Sequence, residues 1–188
     1  MIINGTRISP PLYDYKFPLP GKHNVHIFFN TSKLTDLYYM FSSIKELLNI
    51  SFTSNFNSKH INSFNGMFGD CKSLVKVNFS NLDTSNATDM MYMFDSCDNL
   101  TSVDVSGLNN LHLTDISFMF QECTSLTNIN FKNFSTEAVR TTYYMFKGCK
   151  SLTSIELSNF NTSNLIRMDY MFPDCSSLES LDLSNFDT

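Results

Sequence analysis

The sequence predicts an α/β repeat solenoid, a coil of stacked units with a parallel β-sheet along one face and short helices or 3₁₀ turns along the other. Three observations carry this. The dipeptide Met-Phe recurs at Met40, Met67, Met93, Met119, Met145 and Met171, spaced by 27 residues once and by 26 thereafter. All five cysteines (Cys71, Cys97, Cys123, Cys149 and Cys175) stand three residues after the Phe, and Ile44 takes that place in the first copy. A Leu follows three residues later, and then an apolar–polar–apolar alternation such as Val103-Asp104-Val105. Self-similarity at one period over six copies is the signature of units that stack.

Each element of the unit follows from its residues. Leu100 to Val105 ends in alternation, which suits a short strand with one buried face. Ser106 to Asn110 is rich in turn formers. Thr114-Asp115 reads as a helix N-cap with a carboxylate in the first turn, as do Thr35-Asp36 and Thr88-Asp89. Ala87, Met90, Met93, Phe94 and Cys97 fall three to four residues apart, the spacing of a short helix or 3₁₀ turns. Such a unit cannot bury its apolar side alone. Stacking the units about 4.8 Å apart aligns the strands and joins the apolar sides into one core. The extra residue of the first interval falls near Thr53 and Ser54, at a strand exit, where a loop absorbs it.

Composition bounds the function. The 188 residues are 42% hydrophobic and 16% charged, with a formal net charge of −5. An acidic balance argues against nucleic acid as a partner, because phosphate binding needs clustered Lys and Arg. No apolar run reaches the 18 residues that a membrane span requires. The 18 Phe and the even spread of apolar residues argue for a packed core rather than disorder.

Residues 1–32 carry no repeat. Tyr13, Tyr15 and Phe17 alternate, Pro18 to Gly21 makes a turn, and Val25, Ile27 and Phe29 alternate again. This predicts a β-hairpin that caps the first strand edge of the stack in residues 33–188. The first residues show no basic segment followed by an apolar stretch, so they are not a secretory signal. As it stands the chain reads as cytoplasmic, and a cell-surface or secreted location requires an export signal outside it. The Asn-X-Ser/Thr triplets (Asn4, Asn30, Asn49, Asn78, Asn86, Asn99, Asn133, Asn161) become glycosylation sites only on export. At the other end, Leu181, Leu183 and Phe186 have no closing helix after them. More repeats, or another molecule, are expected to cover that end.

The segment Met171-Phe172-Pro-Asp-Cys175-Ser-Ser-Leu178-Glu-Ser-Leu181-Asp-Leu183-Ser-Asn-Phe186-Asp-Thr188 resembles the 26-residue "bacterial surface protein" repeat, a branch of the BspA-like leucine-rich repeats. The resemblance extends from about Lys33 to Thr188. It implies a right-handed leucine-rich-repeat-like coil, no catalysis, and a role in adhesion or protein–protein interaction; the family occurs on bacterial and mycoplasmal surfaces and in AT-rich protists. Ile44 in the cysteine column, and Thr141-Thr142 and Arg167 where other copies have Thr-Asp, depart from the pattern.

Reactive chemistry finds little support. The cysteines contain no Cys-x-x-Cys pair of the kind zinc uses, and side chains pointing in parallel into a core suit a ladder of buried free thiols. The Met-Phe column suits core filling. His60 and His112 are two repeats apart, too far to share a metal ion, and His23 and His26 belong to the hairpin. No metal, cofactor or catalytic residue is expected. The outward strand columns remain as a partner-binding face: Lys76 in one, Asn78, Asp104, Asn130, Glu156 and Asp182 in the mildly acidic middle one, and Lys132 in a third. That face could equally be a solvated polar ladder, since binding faces are usually marked by aromatics or Arg. The function expected is a non-enzymatic interaction module for a protein partner. The alternatives are a structural subunit packing end to end in a larger assembly, and a secreted or surface adhesin.

Overall fold

The computed structural model describes residues 34–187 except 53 and 55, together with the strand residues Ile2–Ile3, Thr6–Arg7 and Val25–His26. Strand β1 (Ile2–Ile3) pairs antiparallel with both β2 (Thr6–Arg7) and β3 (Val25–His26). The expected hairpin places Val25 in a strand, but its Tyr13–Phe17 arm lies outside the described residues.

From residue 34 onward the chain is a stack of coils. Strands β4 (Asn49–Ser51), β5 (Lys76–Asn78), β6 (Ser102–Asp104) and β7 (Asn128–Asn130) occupy equivalent places in successive coils. They pair in parallel and in register as β4 with β5 and β6 with β7. The expected sheet is therefore present but interrupted. The corresponding segments of the fifth and sixth coils join no ladder.

The continuous ladder runs instead along the Met-Phe edge. Parallel bridges connect Asp36, Ser63, Asp89, Asp115, Thr141 and Arg167 in sequence. Beyond them, alternate N–H groups reach the next coil: Tyr92 to Ser117, Phe94 to Met119 and Ser96 to Gln121 at 2.8–3.2 Å. The N–H groups between them close three-residue turns at home, Met93 to Met90 and Asp95 to Tyr92.

This corrects the expected helices, which are absent among the described residues. An α-helix would satisfy every N–H four residues back within one segment. Here every second N–H is committed to the neighbouring coil, and the backbone alternates accordingly. Along this edge two residues per coil adopt positive φ, such as Tyr92 (55°) and Ser96 (58°). The expected N-caps serve a different turn. Asp89 and Asp115 accept the N–H two residues on, from Met91 and Ser117, at 2.8 Å.

The core lies between edge and strands. Phe68, Phe94, Phe120 and Phe146 are fully buried and stack at 5.5–5.7 Å between centroids. Coils five and six fan apart away from that edge, with Phe146–Phe172 centroids 5.2 Å apart and Phe160–Phe186 centroids 6.5 Å apart. A buried polar column, Ser58, Thr84, Asn110, Thr136 and Thr162, ties the far corner. Thr84 donates to the Asn109 carbonyl at 2.8 Å, and Thr136 and Thr162 accept from the Asn161 and Asp187 N–H at 2.7 Å. Buried polar groups persist when satisfied in this way.

Candidate functional site

The polar sheet columns lie where the sequence places them. Lys76, Asn78, Asp104, Asn130, Lys132, Glu156 and Asp182 are all exposed. The acidic and amide side chains of the middle column, however, are engaged locally. Asn78, Asp104, Asn130, Glu156 and Asp182 each accept the N–H two residues on, at 2.9–3.0 Å, closing the turn at the strand exit. The Ser106 hydroxyl holds the Asp104 carboxyl below the usual carboxylate range, and Ser158 does the same for Glu156. For Asp182 the Ser184 N–H is the main cause, with its hydroxyl second. These residues are acceptors for their own backbone. Ser154, Ile155, Glu156, Ser180, Leu181 and Asp182 line a shallow, open groove where the last two strand segments diverge.

The other edge carries what the sheet lacks. The residue before each Met-Phe is Tyr39, Gly66, Tyr92, Phe118, Tyr144 or Tyr170, and all six have φ between 48° and 59°. That conformation turns the side chain outward, and the rings pile up along the stack. Tyr92–Phe118, Phe118–Tyr144 and Tyr144–Tyr170 stack at 4.4, 5.7 and 5.3 Å. At Gly66 the column has a notch, filled by the ring of Tyr39 from the preceding coil.

The stripe widens toward the fifth and sixth coils. Tyr143 packs edge-on against Phe118 and Tyr144. The Arg167 guanidinium lies 3.6 Å from the Tyr143 ring centroid and pairs with Asp169 at 3.2 Å. Ile166 is 76% exposed and Tyr170 62%. An exposed cation over an aromatic ring contributes about 0.5–1 kcal/mol. The patch thus combines apolar area, ring edges and a fixed cation. This stripe is not placed by the sequence analysis, because Met-Phe marks the period and the stripe is built from the residue before it. Five aromatics in six copies were the available signal.

Burial, not chemistry, governs the cysteines. All five are free thiols, four of them buried, and each donates to the carbonyl of the Phe in the coil before. Burial pushes the Cys71 thiol up to about 12 and that of Cys175, at the last coil, to about 11. Among the described residues, no cluster of three or more His, Cys, Asp or Glu side chains could hold a metal ion, and no helix is long and apolar enough to cross a membrane.

Stacked 26-residue coils sharing one core, with a polar strand face and an aromatic edge, define a repeat solenoid. Residues 22–128 and 114–188 match the family described as "Mycoplasma protein of unknown function, DUF285". The chain belongs to that family. No curated protein matches it. Crystal structures of leucine-rich repeat proteins from Eubacterium ventriosum and Bacteroides ovatus are similar at 23% and 20% identity, with TM-scores of 0.48 and 0.45. They align over 77% and 79% of this chain but 34% and 41% of their own, so the chain spans between a third and about two fifths of their lengths.

Proposed function

We propose that the chain is a non-enzymatic scaffold of the BspA-like leucine-rich-repeat kind, wound right-handed, which binds a protein partner along its aromatic edge. The observation that carries this reading is the patch formed by exposed Ile166, Arg167 and Tyr170 beside the half-buried rings of Tyr143 and Tyr144. Tyr and Arg are enriched among the side chains that anchor protein interfaces; Tyr buries a large rigid area at little entropic cost, and Arg adds a planar set of donors that stacks on rings. The strand face is the weaker candidate, since its acidic column already serves its own turns.

Two multiple variants separate the faces. Tyr143→Ser, Ile166→Ser and Tyr170→Ser together empty the aromatic edge, and Asp104→Lys, Glu156→Lys and Asp182→Lys together reverse the strand face. A specific partner recovered by wild type is expected to be lost by the first variant and kept by the second. The opposite pattern moves the interface to the strands. Retention by both removes the two faces from consideration.

A further inference from the structure

The aromatic edge is flanked by charge that changes sign along the stack. Residues 86–98 and 112–124, on this edge of coils three and four, carry Asp89, Asp95, Asp98, Asp115 and Glu122 and neither Lys nor Arg. Residues 138–150, on the same edge of coil five, carry Arg140, Lys147 and Lys150 and no acid. Each of these coils is bridged to a described coil on either side, so the edge is a lateral surface and not an end of the stack. The charges sort to the two sides of the ring column. On one side the bridge column runs Asp89, Asp115, Thr141 and Arg167, with Arg140 next to Thr141. On the other, Glu122 of coil four is followed by Lys147 of coil five, whose ammonium lies 5.3 Å from the Tyr144 ring centroid.

Little of this charge is neutralised within the chain. Among the described residues Lys72 pairs with Asp70 and Asp98, and Arg167 with Asp169, whereas Asp115, Glu122, Arg140 and Lys147 form no ion pair. The rings between them are also held at a cost. Positive φ strains a bulky side chain, and Gly66 takes the same conformation freely, yet five of the six coils place an aromatic there. Strain kept at a surface column points to contact with something outside the chain.

We infer that the occupant of this edge is a second copy of the chain, docked side by side and antiparallel about a two-fold axis that crosses the stack between coils four and five. That axis turns the order of the coils end for end and keeps the two sides of the ring column apart. Asp115 of one copy then faces Arg140 of the other, Glu122 faces Lys147, Phe118 faces Tyr144, and each contact occurs twice. One patch that complements itself in this way closes on a dimer. A parallel arrangement would set Asp115 on Asp115 and Lys147 on Lys147, and like charges brought together are costly. Four coils span about 20 Å, so the interface lies at the small end of those that hold and the dimer is weak. This deepens the scaffold reading and rests on it, since both need the aromatic edge to be an interface.

Sedimentation of the 188-residue chain, from low micromolar to near-millimolar, tests it. A monomer–dimer equilibrium with no larger species is expected. Glu122→Lys and Lys147→Glu each set like charges opposite one another twice, and each is expected to weaken the dimer at least about tenfold. Mixed, the two variants are expected to form a one-to-one heterodimer at concentrations where neither associates alone. Should Glu122→Lys unfold the chain, as circular dichroism would show, Arg140→Glu, at an exposed position, is expected to weaken the dimer in the same way against Asp115. A wild-type chain monomeric throughout, growth beyond a dimer, association unchanged by the charge variants, or a mixture that stays monomeric would overturn the inference. The two readings fail separately. A monomeric chain that still loses a different protein on Tyr143→Ser, Ile166→Ser and Tyr170→Ser keeps the edge as an interface and removes the second copy as its occupant.

Discussion

The Cys123 thiol donates a 3.0 Å hydrogen bond to the Phe94 carbonyl of the preceding coil, which also accepts the Cys97 N–H at 3.1 Å. A core column of thiols is thus tied into the backbone of its neighbours. Burial is the main cause that pushes the Cys97 and Cys123 thiols well above their usual range, so neither ionises near neutrality. The thiolate is the reactive form. Native protein exposed to iodoacetamide is expected to be alkylated at Cys175 first, because that thiol alone is half-buried. Cys71, Cys97, Cys123 and Cys149 are expected to react only after denaturant is added. Peptide mass spectrometry reads the order directly, and early labelling of Cys123 would contradict the buried column.

Gly66 and Tyr39 give a second test. A Cβ at Gly66 would lie 2.5 Å from the Tyr39 ring, and the glycine sits at φ 59°. Five aromatics hold the same conformation in other coils, so the backbone term alone is modest, about 1–2 kcal/mol. Gly66→Ala is expected to cost about 1–3 kcal/mol more through the clash. In a Tyr39→Ala background that additional cost should vanish. Gly148→Ala is expected to be cheaper, because its Cβ meets the far end of the flexible Glu122 side chain. Denaturant unfolding of the double-mutant cycle measures the coupling.

Period and burial were legible in the sequence, and backbone conformation was not. Met-Phe, Cys and Leu columns predicted the buried stack, and the alternation around Val77, Val103 and Ile129 placed the strands. The same three-to-four spacing at Met90, Met93, Phe94 and Cys97 suits both a helix and a chain of three-residue turns, so it predicted the wrong one. Aromatic residues rarely adopt positive φ, which hid the alternating backbone at Tyr92 and Phe118. Gly66 and Gly148 were the clue, since each replaces a larger residue in one of the two left-handed columns. The Ser58–Thr162 column looked like loop composition because its members differ in type, and only stacking shows that they do one job. The acidic strand column was located correctly, but its turn-closing role is invisible until Ser106, Ser158 and Ser184 are seen beside the carboxylates.

That role carries a pH dependence. The Asp104 carboxyl titrates below its usual range when folded, chiefly through the Ser106 hydroxyl. A depressed folded pKa adds stability above the unfolded value, and that stability is lost as pH falls through the folded value. The group is exposed, so the effect is small. Asp104→Asn keeps an acceptor, as Asn78 and Asn130 do in the same column, and is expected to stay within about 0.5 kcal/mol of wild type at neutral pH. It should also flatten the acid limb of the stability curve. Asp104→Ala removes the acceptor and is expected to cost about 0.5 kcal/mol or more. Melting curves from pH 7 down to about 3 distinguish the two.

Amide exchange along the Met-Phe edge should report the ladder's direction. In the third coil Met93, Asp95 and Cys97 bond within the coil, while Tyr92, Phe94 and Ser96 bond to the fourth. Every amide from Tyr92 to Cys97 is therefore engaged, and all six are expected to exchange slowly. The sixth coil keeps some of the inward set, with Cys175 bonded to Phe172, and lacks the outward set at Met168, Tyr170, Phe172 and Asp174. In dilute protein these four amides are expected to exchange quickly and Cys175 more slowly, an alternation that fraying of the whole coil would not produce. Protection that never alternates would mean that the last coil does not hold the geometry from which the ladder's polarity follows.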